Sequence, residues 1–171
     1  MKHEIIGDNL QMVKVDLVRG EGILAEAGAM VNMSGHMQMQ SQMTGGVVSG
    51  IKRIIVGESL FLTRFFSSEK PGFVSFAGNV PGKIFPVHLD QGREFIAQRD
   101  SFLCCNEDII LDIVLTKKLR TGIFGGEGFI LQKMSGNGTV FLHCCGDIIT
   151  LTLTEEETVK VQTGLVVGFD N

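Results

Sequence analysis

Apolar and polar residues alternate along much of the chain, and helical periodicity is nearly absent. Met12-Val13-Lys14-Val15-Asp16-Leu17, Thr139-Val140-Phe141-Leu142 and Ile148-Ile149-Thr150-Leu151-Thr152-Leu153 each read as strands. A strand turns successive side chains to opposite faces, so period-two alternation marks a sheet with one buried face. The helix candidate is Val47 to Val56, with Val47, Val48, Ile51, Ile54 and Ile55 on one side. Its length predicts one or two turns.

The pattern also recurs. Val15-Asp16-Leu17-Val18-Arg19-Gly20 leads into Ile23-Leu24-Ala25-Glu26-Ala27-Gly28. Starting 72 positions on, Val87-His88-Leu89-Asp90-Gln91-Gly92 leads into Phe95-Ile96-Ala97-Gln98. After a further 64 positions, Leu151-Thr152-Leu153-Thr154-Glu155-Glu156 leads into Val159-Lys160-Val161-Gln162. A second block, Gly57-Glu58-Ser59-Leu60-Phe61-Leu62, matches Gly126-Glu127-Gly128-Phe129-Ile130-Leu131, and Gly72-Phe73-Val74 matches Gly138-Thr139-Val140. The pattern predicts a single all-β domain of internal repeats: about 10–80, about 81–145, and a partial third at about 146–171. Units of this kind share a core with their neighbours. An unfinished unit leaves a sheet edge that pairing with another subunit would cover, which predicts a homo-oligomer.

Composition sharpens this picture. Glycine supplies 22 of 171 residues, above the usual share of about 7%, with only 3 prolines. Many of the glycines fall at matching places in the units, as turn positions should. The net charge is −4, without the basic excess that phosphate neutralisation favours, so nucleic-acid binding is not expected. Lys52-Arg53 and Lys117-Lys118-Leu119-Arg120 are small basic clusters that read as solvated surface. No stretch has the length of apolar sequence that crosses a membrane. The N-terminus lacks an export signal pattern, so a cytoplasmic location and reduced thiols are expected.

The residues that could carry chemistry also have structural readings. Gly57-Glu58, Gly126-Glu127-Gly128 and Gly28 are singled out as structural motif positions, where glycine supplies unusual dihedrals and a carboxylate caps a bend. The alternative for Glu58 and Glu127 is a pair of carboxylates in a channel or cation site. Met30, Met33, Met37, Met39 and Met43, with His36, form a soft-ligand run that reads as packing or interface rather than copper binding. Cys104-Cys105 and His143-Cys144-Cys145 lack the spaced pairs of a zinc site, and adjacent strand residues point apart. Gly122 to Gly128 is glycine-rich but lacks the Lys-Ser/Thr ending of a phosphate loop. No catalytic, cofactor or metal residues are expected.

Four segments carry a family resemblance. They are Ala25-Glu26-Ala27-Gly28-Ala29-Met30-Val31, Gly57-Glu58-Ser59-Leu60-Phe61-Leu62-Thr63-Arg64-Phe65, Gly122 through Lys133, and Ser135-Gly136-Asn137-Gly138-Thr139-Val140. The chain resembles, over essentially its whole length, the family related to the yeast altered inheritance of mitochondria protein 24. The resemblance implies repeated β-sandwich units, similar to the tryptophan RNA-binding attenuation protein fold, packed in rings and trimeric. It implies no catalytic residues. Members of that family continue into a further Gly-Glu block, so the third unit is expected to be partial here. The function expected is a non-enzymatic oligomeric scaffold or binding protein. The alternatives are a nucleic-acid-binding ring and a small-molecule or metal-binding protein using Glu58, Glu127 or the Met, His and Cys groups.

Overall fold

The computed structural model describes residues 1–43, 61–90, 92–114 and 130–170. Its architecture is nearly all β, with three antiparallel sheets. The first sheet has the order β1 (Lys2–Ile6), β2 (Met12–Leu17), β7 (Gly72–Ala77), β4 (Met30–Met33). The central sheet runs β5 (Gln38–Met43), β6 (Phe61–Phe66), β3 (Gly22–Glu26), β10 (Phe102–Asn106), β13 (Gly138–Cys145), β8 (Gly82–Leu89). The third is β11 (Ile109–Val114), β12 (Leu131–Gly136), β9 (Phe95–Gln98), β14 (Gly168–Asp170). Among the described residues no helix is long and apolar enough to cross a membrane.

Alternation places the core. Two apolar clusters lie on opposite faces of the central sheet. One takes Ile23, Ala25, Phe65, Ile84, Cys104 and Phe141 from it and packs them against Val13, Val15, Leu17, Val74 and Phe76 of the first sheet. The other takes Leu24, Leu62, Val87, Cys105, Val140 and Leu142 and packs them against Phe95, Ala97, Leu111 and Met134 of the third. Successive residues of β3 and of β13 thus feed different clusters, which is why these strands read as nearly continuous apolar runs. The rings of Phe65 and Phe76 meet edge to face at 5.2 Å, a favoured aromatic geometry.

Two strand pairs run in long, unbroken antiparallel registers. Met12 to Leu17 of β2 lie opposite Ala77 to Gly72 of β7, and Ile84 to Leu89 of β8 lie opposite His143 to Gly138 of β13. The β4–β7 register shifts between Met30 and Asn32, and the β10–β13 register shifts between Phe102 and Cys104. β10 sets Cys104, Cys105 and Asn106 against Ala25, Leu24 and Ile23 of β3. β14 sets Gly168, Phe169 and Asp170 against Ala97, Ile96 and Phe95 of β9. Leu10 bridges in parallel to Gly82, and Gly82 to Gly146. Two side chains pin backbone amides between strands. The Phe73 amide donates to Ser34 Oγ at 3.0 Å, and the Thr139 amide donates to Asn106 Oδ1 at 2.8 Å.

Two expectations end differently. Ile148 to Leu153, expected as a strand, is not in a ladder, and neither is Val159 to Gln162. A strand needs a neighbour to take its backbone groups, and each of β6, β7, β12 and β13 is already paired on both edges. The helix candidate Val47–Val56 lies outside the described residues, as do both small basic clusters.

Gly82 sits where three segments meet, and a Cβ there would lie 1.8 Å from the Cys144 carbonyl oxygen. That neighbour is ladder backbone and cannot step aside cheaply. Gly82→Ala is expected to lower unfolding stability by at least about 2 kcal/mol in urea titrations.

Candidate interaction surface

Positions singled out in the sequence separate in the structure. Gly57, Glu58, Gly126, Glu127 and Gly128 lie outside the described residues, as does the rest of the glycine-rich run from Gly122. Gly28 turns the chain between β3 and β4 at φ +89°, a conformation that favours glycine. In the methionine run, Met37 is buried in the first cluster, Met30 and Met33 pack against it, and Met39 is exposed. Met43 lies at the edge of the described residues in β5. His36 Nε2 donates toward the carbonyls of Pro71 and Lys70, at 3.1 and 3.3 Å. These contacts tie the turn before β5 to the turn before β7.

The cysteines divide as strand geometry requires. Cys104 joins the cluster on one face of β10, and Cys105 joins the cluster on the other. Burial pushes both thiols well up, away from the nucleophilic thiolate. Cys144 is half-buried and its thiol is also raised by burial, whereas Cys145 is exposed. His143 is buried, with its ring filling the space beside Gly78 and Gly82. Burial lowers its pKa, opposed by a hydrogen bond to the Val80 backbone. Among the described residues, no three of His, Cys, Asp and Glu gather as a metal site would require.

Two polar features were not visible in the sequence. Arg64 of β6 makes a two-pronged pair with Glu107 in the turn after β10, reaching across β3. The carboxylate occupies the place that a side chain at Gly22 would fill, and the Arg64 guanidinium lies 4.3 Å from the Phe66 ring centre. No spacing rule links residues 43 apart. Gln132 is fully buried in β12, and neither amide atom has a hydrogen-bond partner among the described residues, a costly arrangement in a core.

An open groove of about 620 Å³ is lined by Gly92, Arg93, Glu94, Asp108, Ser135 and Asn137. Charged groups around it already engage one another. Arg93 donates to Asp170 Oδ1 at 2.9 Å and to the His88 carbonyl at 2.7 Å, and Lys133 donates to Glu94 at 2.7 Å.

An exposed apolar stretch among the described residues lies elsewhere. Ile149, Leu151, Leu153, Val159, Val161 and Leu165 are all exposed, Ile149 at 85%. Five of them lie on either side of a turn in which the Glu157 carboxylate accepts from the Thr154 amide at 2.8 Å, and Leu165 ends a short 3-10 turn, Thr163–Leu165. The bond from the Thr154 amide, with a second from the Thr154 side chain, lowers the Glu157 pKa from its ordinary value. Contiguous exposed apolar side chains mark a surface that takes a partner. The signal was present in the sequence as alternation, which gives the face of each side chain but not its cover.

Two outcomes follow for the thiols and the histidine. Cys145 should react with a thiol reagent first, while Cys104 and Cys105 should react only on unfolding, as followed by mass spectrometry. The unfolded chain protonates a histidine near pH 6.5 and the folded chain protonates His143 at lower pH. Stability is therefore lost as pH falls from about 6.5 through the folded value, and His143→Gln should remove that part of the slope in denaturation series.

Comparison with known proteins places the chain. No curated protein matches it. Among solved structures, a crystal structure of a Streptococcus pyogenes protein matches with a TM-score of 0.63 and 23% identity. It covers 83% of this chain, and this chain spans 63% of that protein's length. At that identity the likeness is one of fold. The family model described as "Mitochondrial biogenesis AIM24" matches residues 3–171. The chain belongs to the AIM24 family.

Proposed function

We propose that the protein is a non-enzymatic binding scaffold that assembles with copies of itself and serves a process related to mitochondrial biogenesis. The process is taken from the family description. The assembly rests on one observation, the exposed apolar series Ile149, Leu151, Leu153, Val159, Val161 and Leu165. Solvent-exposed apolar side chains on an unpaired extended segment are an association hazard unless another chain covers them. Closed rotational symmetry is the usual way for identical chains to cover such a surface without open-ended growth. Three copies is the number that the family resemblance implies. Beside the groove Arg93 pairs with Asp170 and Lys133 with Glu94, which suits a structural surface better than a reacting one.

Size-exclusion chromatography with light scattering tests this reading. The expected mass is three times the 18.6 kDa chain. Replacing Ile149 and Leu165 together by lysine should shift the distribution toward the single chain. A mass of one chain at every concentration would remove the basis for the scaffold.

A further inference from the structure

His143 is 8% exposed, and its imidazole lies where two bare glycines leave room. A Cβ on Gly78 would fall 2.3 Å from Nδ1, and one on Gly82 would fall 2.9 Å from Nε2. The turn of residues 78–82 therefore closes over the ring, and the Val80 backbone hydrogen-bonds to it. In the ladder His143 stands opposite Ile84, and Phe141 lies two residues before it. Both share its sheet face and belong to the first core. The ring thus has the core on one side and a surface turn on the other.

That turn ends at a junction. Gly82 bridges to Leu10 and to Gly146. Gln11 is tied to β8 twice. Its amide donates to the Gly82 carbonyl at 3.2 Å, and its Oε1 accepts from the Ile84 amide at 2.7 Å. Turn 78–82 carries no titratable side chain. The neighbouring elements bring Lys83 on β8, Cys144 on β13, Asp8, Asp147, and His3 of β1, whose ring packs edge-on against Phe141. Lys83 and Cys144 alternate to the other sheet face. Lys83 donates to the Asp8 carbonyl at 2.8 Å and lies 3.8 Å from the Asp147 carboxylate, which is 87% exposed. No carboxylate acts on the His143 imidazole.

A neutral imidazole has one N–H to satisfy, and the Val80 backbone meets it. An imidazolium has two N–H donors and a charge. Buried without a counter-charge, that ion is costly and needs water. Asn79, Val80 and Pro81 are exposed and lie in no ladder, so the turn is the side that yields.

We propose that His143 is an acid-operated catch. On protonation the 78–82 turn lifts, Gly82 releases Leu10–Gln11 and Gly146, and the chain on both sides of the junction comes free while the three sheets stay assembled. Burial sets the titration below the ordinary histidine value, so the catch is closed at neutral pH and opens as pH falls through the folded value. The catch is independent of how many copies assemble.

Hydrogen exchange of the whole protein tests it, read by mass spectrometry from about pH 7.5 to about pH 4.5 and referred at each pH to the urea-unfolded chain. Peptides spanning 7–12, 79–85 and 144–148 should lose protection about tenfold or more in acid, while peptides of β3 and β10 keep theirs. His143→Gln, neutral throughout, should hold the first three at one level at every pH. If that variant does not fold, the wild-type chain decides. The His143 ring-proton resonance, identified by elimination with His3→Gln, His36→Gln and His88→Gln, must titrate with the same midpoint as the loss of protection. Protection that stays constant to the lowest pH overturns the proposal. So does a loss shared equally by β3 and β10, which is unfolding of the whole chain. A loss that persists in His143→Gln, or a midpoint apart from that of the His143 resonance, overturns it as well.

Discussion

The short ladder between β3 and β10 makes six strands a single sheet. Without the pairing of Ala25, Leu24 and Ile23 with Cys104, Cys105 and Asn106, the central sheet would separate into two three-stranded pieces. Each apolar cluster draws side chains from strands on both sides of that seam. The ladder therefore fixes the relative position of every residue in both cores. Three residue pairs are a narrow seam, and the Arg64–Glu107 pair spans it from β6 to the turn after β10. It passes over β3 at Gly22, where a side chain would collide with the carboxylate. A partly exposed pair of this kind contributes modest stability on its own, about 1 kcal/mol or less. Its geometric role is to hold two strands at one spacing.

The same alternation explains why the cysteine and histidine groups lack reactive surroundings. Cys104 and Cys105 are neighbours in sequence but sit on opposite faces of a sheet with a core on each side. In those cores the thiol form is favoured and the residues act as small apolar fillers. His143 occupies space left by two glycines and is favoured neutral. Cys104, Cys105 and His143 are thus distributed by the sheet into separate, dry environments, while Cys145 stays exposed.

Much of this was legible in the chain. Alternation around Val13, Val15 and Leu17 and around Val140 and Leu142 gave strands, and the structure buries those side chains. The glycines at 20, 28 and 92 stand at positive φ in turns, as their spacing between apolar runs implied. The all-β class and the family followed from local patterns of this sort. Contacts between distant residues did not. Arg64 and Glu107 meet only because β10 pairs with β3, and the buried amide of Gln132 has no marker in its neighbours. The segment from Ile148 to Leu153 shows the same limit from the other side. Its alternation matches β2 and β8, but alternation records which side a residue faces, not whether another strand arrives. The motif glycines and glutamates at 57, 58 and 126 to 128 lie outside the described residues.

The meeting of Leu10, Gly82 and Gly146 also bears on how the chain reaches its fold. Bringing these points together closes two long loops before any neighbouring ladder can offset the lost chain entropy. Proteins dominated by such distant pairings fold in roughly milliseconds to seconds, far slower than helical bundles of similar size. During that interval the strands that will bury Val15, Val87 and Phe141 stand open at their edges. For a chain with this topology, the hours after synthesis matter less than the first second, when crowding by its own kind competes with closing those loops.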